Sequence, residues 1–142
     1  MNAGAHAATI EIGVPAAVAF AYLGDGMKQS EWALGSWNRR EVEPGLFAGT
    51  SLFDGSELLI RLEPDAQRLL VEYWVGTSPD ALRPLVWARI VPGPVVGLDD
   101  GRCVVTLVVW RTADETDTRW NRLGHAFATE IHMIKGRLEL GF

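Results

Sequence analysis

The sequence predicts a single α+β domain in which a curved antiparallel sheet of about seven strands is covered by one long C-terminal helix. Two patterns predict this class. Residues 37–111 form short apolar runs separated by Gly, Pro and Asp, which is typical of an antiparallel meander. The last segment, Thr116–Leu140, repeats its apolar residues with helical period. Because 142 residues suffice for one buried core, we expect one domain over 1–142, with residues 1–7 as a flexible lead-in.

The first elements are a strand and two short helices. Alternating apolar residues predict the strand over Ala8–Gly13. Pro15 suits the first turn of a helix and Gly24 suits its end, so together they bracket a helix over Ala16–Leu23. Lys28–Leu34 is interpreted as a second short helix.

Six further strands follow, separated by turn sequences such as Asp54-Gly55 and Pro64-Asp65. In the fourth of them, Tyr73 alternates with Trp74, so we expect the tyrosine to face the core and the tryptophan to face outward. The predicted strands are Trp37–Val42, Gly49–Phe53, Glu57–Glu63, Arg68–Val75, Leu85–Val91 and Cys103–Arg111.

The terminal helix has one apolar face and complementary charges at its ends. Asp117 lies near its positive end and Lys135 near its negative end. We expect the apolar face to pack across the sheet. That face consists of Trp120, Leu123, Phe127, Ile131, Ile134 and Leu138.

Composition excludes several classes of function. A net charge of −5 and a pI near 5.1 provide no basic surface for a nucleic acid. The single Cys103 forms neither an intramolecular disulfide nor a thiolate metal cluster. The N-terminal apolar stretch is interrupted by Pro15, so we expect neither a signal peptide nor a membrane span, and a cytoplasmic location.

The order of these elements resembles the START/Bet v 1-like (SRPBCC) superfamily, and most closely its polyketide cyclase/dehydratase-like group. Ile10-Glu11-Ile12, Pro15–Leu23, Glu31-Trp32 and Trp120–Leu138 carry the likeness. The resemblance covers almost the whole chain. It implies a helix-grip fold whose apolar cavity, between sheet and helix, holds lipids, sterols or aromatic polyketides. A cone-shaped barrel of the ketosteroid-isomerase-like kind fits less well, because that architecture begins with its long helices.

The resemblance implies that the chain binds a hydrophobic small molecule and, if it is an enzyme, catalyses cyclisation or dehydration without a cofactor. The alternative is a non-catalytic, co-chaperone-like interaction module of the same fold. Large aromatic and apolar side chains on the predicted elements, together with Arg89 as a polar contact, are the candidates for the ligand cavity. These candidates are Trp32, Phe53, Tyr73, Trp87, Arg89, Trp120, Leu123 and Phe127.

Three residues are candidates for catalysis, each with a structural alternative. Tyr73, if buried, is a general acid or a hydrogen-bond donor to the ligand, or else a structural tyrosine. Arg89 holds a carboxylate, enolate or carbonyl oxygen if it faces inward, and is merely solvated if it faces outward. Glu130 pairs with such an arginine or acts as a base, or else is a surface carboxylate.

The remaining aromatic and imidazole side chains indicate no metal site. His125 and His132 are seven residues apart on the helix face opposite the apolar stripe, so we expect both to be exposed, and His6 falls in the predicted lead-in.

Trp74 and Trp110 are assigned to the outer face of the sheet, where they favour a homodimer.

Overall fold

The computed structural model describes residues 4–142, which form one seven-stranded sheet and two α-helices. The helices are α1, Ala16–Leu23, and α2, Asp117–Leu140, and a short 3₁₀ helix, Lys28–Glu31, follows α1. The strands are β1, Ala5–Ile12; β2, Trp37–Glu43; β3, Leu46–Thr50; β4, Glu57–Asp65; β5, Leu70–Gly76; β6, Arg83–Pro92; and β7, Cys103–Trp110.

The sheet is antiparallel throughout, in the order β1-β7-β6-β5-β4-β3-β2. Strands β2 to β7 form a meander, and the last strand, β7, also pairs with the first, β1. Each hairpin joins neighbours in the chain, as short turns require. None of the helices within residues 4–142 is long and apolar enough to cross a lipid bilayer.

Helix α2 lies with its apolar face on the sheet. The Thr116 side chain caps its first turn by accepting a hydrogen bond from the Arg119 N–H, and Gly141 ends it in the left-handed conformation. Leu123 and Leu138 are half-buried against the core. The buried positions of α2 are Trp120, Ala126, Phe127, Glu130, Ile131 and Ile134. The predicted helix-over-sheet architecture is therefore confirmed.

The chain start differs from the prediction. Strand β1 begins at Ala5, within the segment expected to be a flexible lead-in, whereas residues 1–3 lie outside the described part. His6 faces inward and stacks on Trp120, with 3.8 Å between ring centroids, and its Nε2 lies 2.8 Å from the Trp120 carbonyl oxygen. Pairing with β7 and this stacking order the segment.

The β3 prediction is shifted. The strand ends at Thr50, because the chain then closes a turn through Ser51 and Asp54, whose side chains accept hydrogen bonds from the backbone N–H groups of Phe53 and Ser56. The second predicted helix also shortens, to the 3₁₀ helix ending at Glu31.

Candidate functional site

Four polar or amphipathic side chains are buried around Tyr73, and two further buried polar side chains, Gln29 and Ser36, bind one of them, Arg39. The four are Trp32, Arg39, Tyr73 and Glu130, and we call them the buried polar cluster. Their exposed fractions are 2%, 7%, 0% and 4%, respectively. Buried polar groups in an apolar core are normally fully hydrogen-bonded, so the partners of each one are informative.

Arg39 enters the core because β2 is irregular at this point. Asn38 has a φ of 50°, and the pairing of β2 with β3 shifts between Trp37 and Arg40. Such a bulge redirects a side chain, and here Arg39 becomes buried while Arg40 stays on the surface with Glu57.

The Arg39 guanidinium is held by neutral oxygens. Its Nη1 donates to the Gly26 carbonyl at 2.8 Å and to Gln29 Oε1, and its Nη2 donates to Ser36 Oγ at 2.6 Å. Its Nε is buried and has no hydrogen-bond partner among the described residues. Burial lowers the pKa of Arg39 to about 10, so the side chain still carries its charge at neutral pH.

Trp32 follows the 3₁₀ helix and projects into the core. Its ring meets that of Tyr73 edge to face, with 6.1 Å between centroids. Within residues 4–142, nothing accepts a hydrogen bond from its buried Nε1–H. An indole N–H left in this state is destabilising by about 1–3 kcal/mol.

Tyr73 lies on β5, within electrostatic range of both Arg39 and Glu130. Its hydroxyl donates to the Leu23 carbonyl oxygen at 2.6 Å, at the end of α1. Burial raises the pKa of Tyr73 well above its usual value; Arg39 opposes that rise and Glu130 adds to it. Because its only hydroxyl proton is donated to Leu23, this geometry favours the structural alternative for Tyr73, and the general-acid role stays a prediction.

Glu130 lies on α2 and is buried. The sequence analysis had kept a surface carboxylate as the alternative for this residue. Burial raises the pKa of Glu130 to about 8, with the Leu34 backbone N–H partly opposing the rise. The side chain is therefore mostly protonated at neutral pH. A neutral carboxylic acid in an apolar interior is able both to donate a hydrogen bond and to transfer a proton.

The apolar candidates on α2 contribute to the packing of the core in different ways. Phe127 is buried in the core, and Leu123 packs at its edge. Trp120 is covered by His6 on one side, and the Arg111 guanidinium lies 5.6 Å from its ring centroid. Trp120 therefore forms the N-terminal end of the interface between α2 and the sheet.

Three predicted cavity residues lie outside. Arg89 is exposed and Trp87 is half-buried on the outer face of the sheet, because the inward positions of β6 are taken by the buried Ala88 and Ile90. Phe53 is 43% exposed in the turn after β3. The expectation that these three line the interior is wrong.

Two surface clefts accompany the outer face. One, of about 330 Å³, is lined by Leu70, Glu72, Pro84, Trp87, Arg89 and Trp110, and the other, of about 450 Å³, by Glu63, Pro64, Asp65, Ala66, Leu70 and Glu72. Neither contains a residue of α2. Trp110 is 48% exposed, as the outward assignment predicted. The homodimer suggested by this face stays a prediction.

Sequence reasoning missed Arg39, although a signal was present. Arg39 and Arg40 are adjacent in a predicted strand, and neighbouring residues of a strand point to opposite faces. One of the two was therefore bound to face the core.

Comparison with known proteins places this architecture among solved structures. No family model and no curated protein sequence matches the chain. A START superfamily protein from Mycobacterium smegmatis has a TM-score of 0.70 at 10% identity, over 97% of this chain and 99% of that one. The Zhui aromatase/cyclase from a Streptomyces species has a TM-score of 0.66 at 15% identity, over 96% and 94%. The Aha1 dimer from Colwellia psychrerythraea has a TM-score of 0.69 at 12% identity, over 97% and 98%.

Proposed function

Since the chain has the helix-grip fold of the START/Bet v 1-like superfamily, we propose that it binds a small apolar molecule between the sheet and α2. The molecule carries an oxygen acceptor that meets the buried polar cluster. The aromatase/cyclase with this fold supports an aromatic or polyketide-like ligand over a purely aliphatic one.

The observation that carries the proposal is the unpartnered Nε1–H of Trp32. A donor that is 2% exposed in an apolar core is destabilising unless something accepts from it. A ligand oxygen supplies that acceptor. The surrounding apolar side chains supply the contact area that small-molecule sites use for affinity.

Glu130 supports a chemical role at the same site. Its protonated carboxyl is a proton donor near neutral pH, and loss of water from an aromatic precursor needs such a donor at the leaving oxygen. Of the three residues predicted to be catalytic, Glu130 is the one whose burial and protonation state suit the task. Arg89 is on the wrong face, and the proton of Tyr73 is engaged.

A ligand screen with two matched variants tests the proposal. Thermal unfolding of the wild type is followed with a panel of aromatic ketones, phenols, steroids and fatty acids. We expect an oxygen-bearing aromatic compound to raise the melting temperature, because ligands that bind only the folded state stabilise it. Trp32→Phe removes the indole donor and should reduce the rise in melting temperature. The control Trp87→Phe removes a tryptophan from the outer face and should preserve it.

Two results would contradict the proposal. One is a wild type that no member of the panel stabilises. The other is a rise in melting temperature that survives intact in Trp32→Phe and disappears in Trp87→Phe, which would place the ligand on the outer face.

A further inference from the structure

Arg39 is a buried cation that forms no ion pair within the described part of the chain. Six other arginines, Arg40, Arg68, Arg102, Arg111, Arg119 and Arg122, each form an ion pair with a carboxylate. No described carboxylate pairs with Arg39, which is the most buried arginine of residues 4–142. Arg61, Arg83, Arg89 and Arg137 also form no ion pair within residues 4–142, but none of them is buried. Arg39 is therefore the one buried arginine of the described residues, and its partners there are neutral.

Glu130 is the other ionisable carboxyl or guanidinium group of the buried polar cluster, but it does not act as a negatively charged partner for Arg39. It forms no ion pair with Arg39 in the described structure, and its carboxyl is mostly protonated at neutral pH. The Tyr73 hydroxyl lies within electrostatic range of both but donates to Leu23. Within residues 4–142, no carboxylate therefore forms an ion pair with Arg39.

The guanidinium also keeps part of its hydrogen-bonding capacity free. A guanidinium carries five N–H groups, and the three hydrogen bonds to Gly26, Gln29 and Ser36 leave the Nε–H among those without a partner. Those three contacts also fix the orientation of the side chain, so the free donor is held in place before a ligand arrives. A fixed planar donor set suits a carboxylate or enolate better than it suits a single neutral oxygen.

We infer that the ligand of this interior is an organic anion, a carboxylate or an enolate on an apolar body, whose negative charge pairs with Arg39. This inference rests on the proposed function and names its ligand class. Desolvation of a cation is unfavourable unless an opposite charge accompanies it, and an anionic ligand completes the pair within the core. The ligand oxygen that faces Trp32 belongs to the same molecule.

A shape-matched ligand pair separates charge from shape in the wild-type protein. 2-Naphthoate and 2-naphthamide share one ring system and differ in charge, and binding of each is measured by isothermal titration at pH 6. At that pH the naphthoate is ionised, Arg39 is charged and Glu130 is protonated. We expect 2-naphthoate to bind at least about tenfold more tightly than 2-naphthamide, because the charge-assisted hydrogen bond is the stronger one.

Variants assign the preference to Arg39. Arg39→Gln should weaken 2-naphthoate binding by about 30-fold or more while changing 2-naphthamide binding much less, as loss of a buried charge partner does. Arg39→Lys keeps the charge without the planar fork, and should retain a reduced preference for the anion. Arg89→Gln removes an exposed arginine from the outer face and serves as the control with unchanged binding.

The outcomes are distinguishable. Equal binding of the two compounds to the wild type, or a neutral panel compound that stabilises the protein while 2-naphthoate does not bind, overturns the anion inference and leaves the proposed function standing. Failure of every compound overturns both. The wild-type comparison needs no variant, so it decides the question even if Arg39→Gln does not fold.

Discussion

At the residue scale, Glu130 couples the chemistry of the site to the stability of the fold. Its carboxyl holds a proton up to about pH 8 in the folded state, whereas an ordinary glutamate releases it near 4.5. Between these pH values the folded protein binds more protons than the unfolded chain. The free energy of unfolding therefore falls as the pH rises through this window.

We expect Glu130→Gln to remove most of that pH dependence. The wild type should lose on the order of 3 kcal/mol of unfolding free energy between pH 5 and 8.5, and the variant, which carries a neutral side chain of the same shape, should lose much less. Urea unfolding across this pH range measures the difference. Glu63→Gln, an exposed position on β4, is the control and should follow the wild type. Parallel curves for wild type and Glu130→Gln would show that Glu130 is not buried as described.

Residue-level prediction reached part of the site, for reasons that differ between positions. The apolar period of α2 identified Phe127, and alternation along β5 identified Tyr73 as inward. The helical period of α2 did not predict the burial of Glu130. Glu130 lies beside the apolar face of the helix, and such a position faces either water or protein, depending on how far the sheet curves around α2. Alternation along β2 places Arg39 and Arg40 on opposite faces, but which of the two is buried depends on the bulge at Asn38, which no local sequence pattern indicates.

At the scale of elements, α2 and β1 are locked together by close contact at one glycine. A Cβ added at Gly124 would lie 2.9 Å from the His6 ring, whereas a Cβ added at Gly136 would meet nothing within 4 Å. Both glycines lie inside α2, where alanine is favoured over glycine by about 1 kcal/mol. They form a matched pair that separates helix propensity from packing.

We expect Gly136→Ala to raise the free energy of unfolding by about 0.5–1 kcal/mol, since the change removes backbone entropy and adds no clash. Gly124→Ala should gain none of this, and should be destabilising, because the His6 ring stacked on Trp120 would have to move. Chemical denaturation of the two variants checks the sign. An equal gain for both would mean that β1 does not hold His6 against α2.

The boundaries of an element and its buried face could be predicted where local sequence signals alone determine them. Helix α1 was predicted with its exact bounds, because Pro15 and Gly24 flank it. On β6, the apolar run 85–91 did not predict which face of the strand is buried. The buried face is fixed by strand pairing, in which Ala88 lies opposite Val71 of β5 and Leu107 of β7.

At the scale of the whole molecule, the architecture could be predicted from the order in which strand-like and helix-like repeats of apolar residues occur along the chain. Two-residue alternation between turns, followed by one long helical period, leaves few ways to bury both apolar surfaces other than laying the helix across the sheet. The site depends instead on where individual side chains point within that architecture. Residues far apart in sequence, such as Leu34 and Glu130, become neighbours only after the chain has folded around α2.

The indole N–H resonances of the protein provide the most direct test of where the ligand sits. Each of the six tryptophans gives one ¹⁵N-¹H indole signal, which single Trp→Phe variants assign, and the signals are followed while 2-naphthoate is added. We expect the Trp32 signal to shift downfield as its Nε1–H gains an acceptor, while the signal of the exposed Trp110 stays in place. Movement of Trp110 and Trp87 with a stationary Trp32 would contradict an interior binding site.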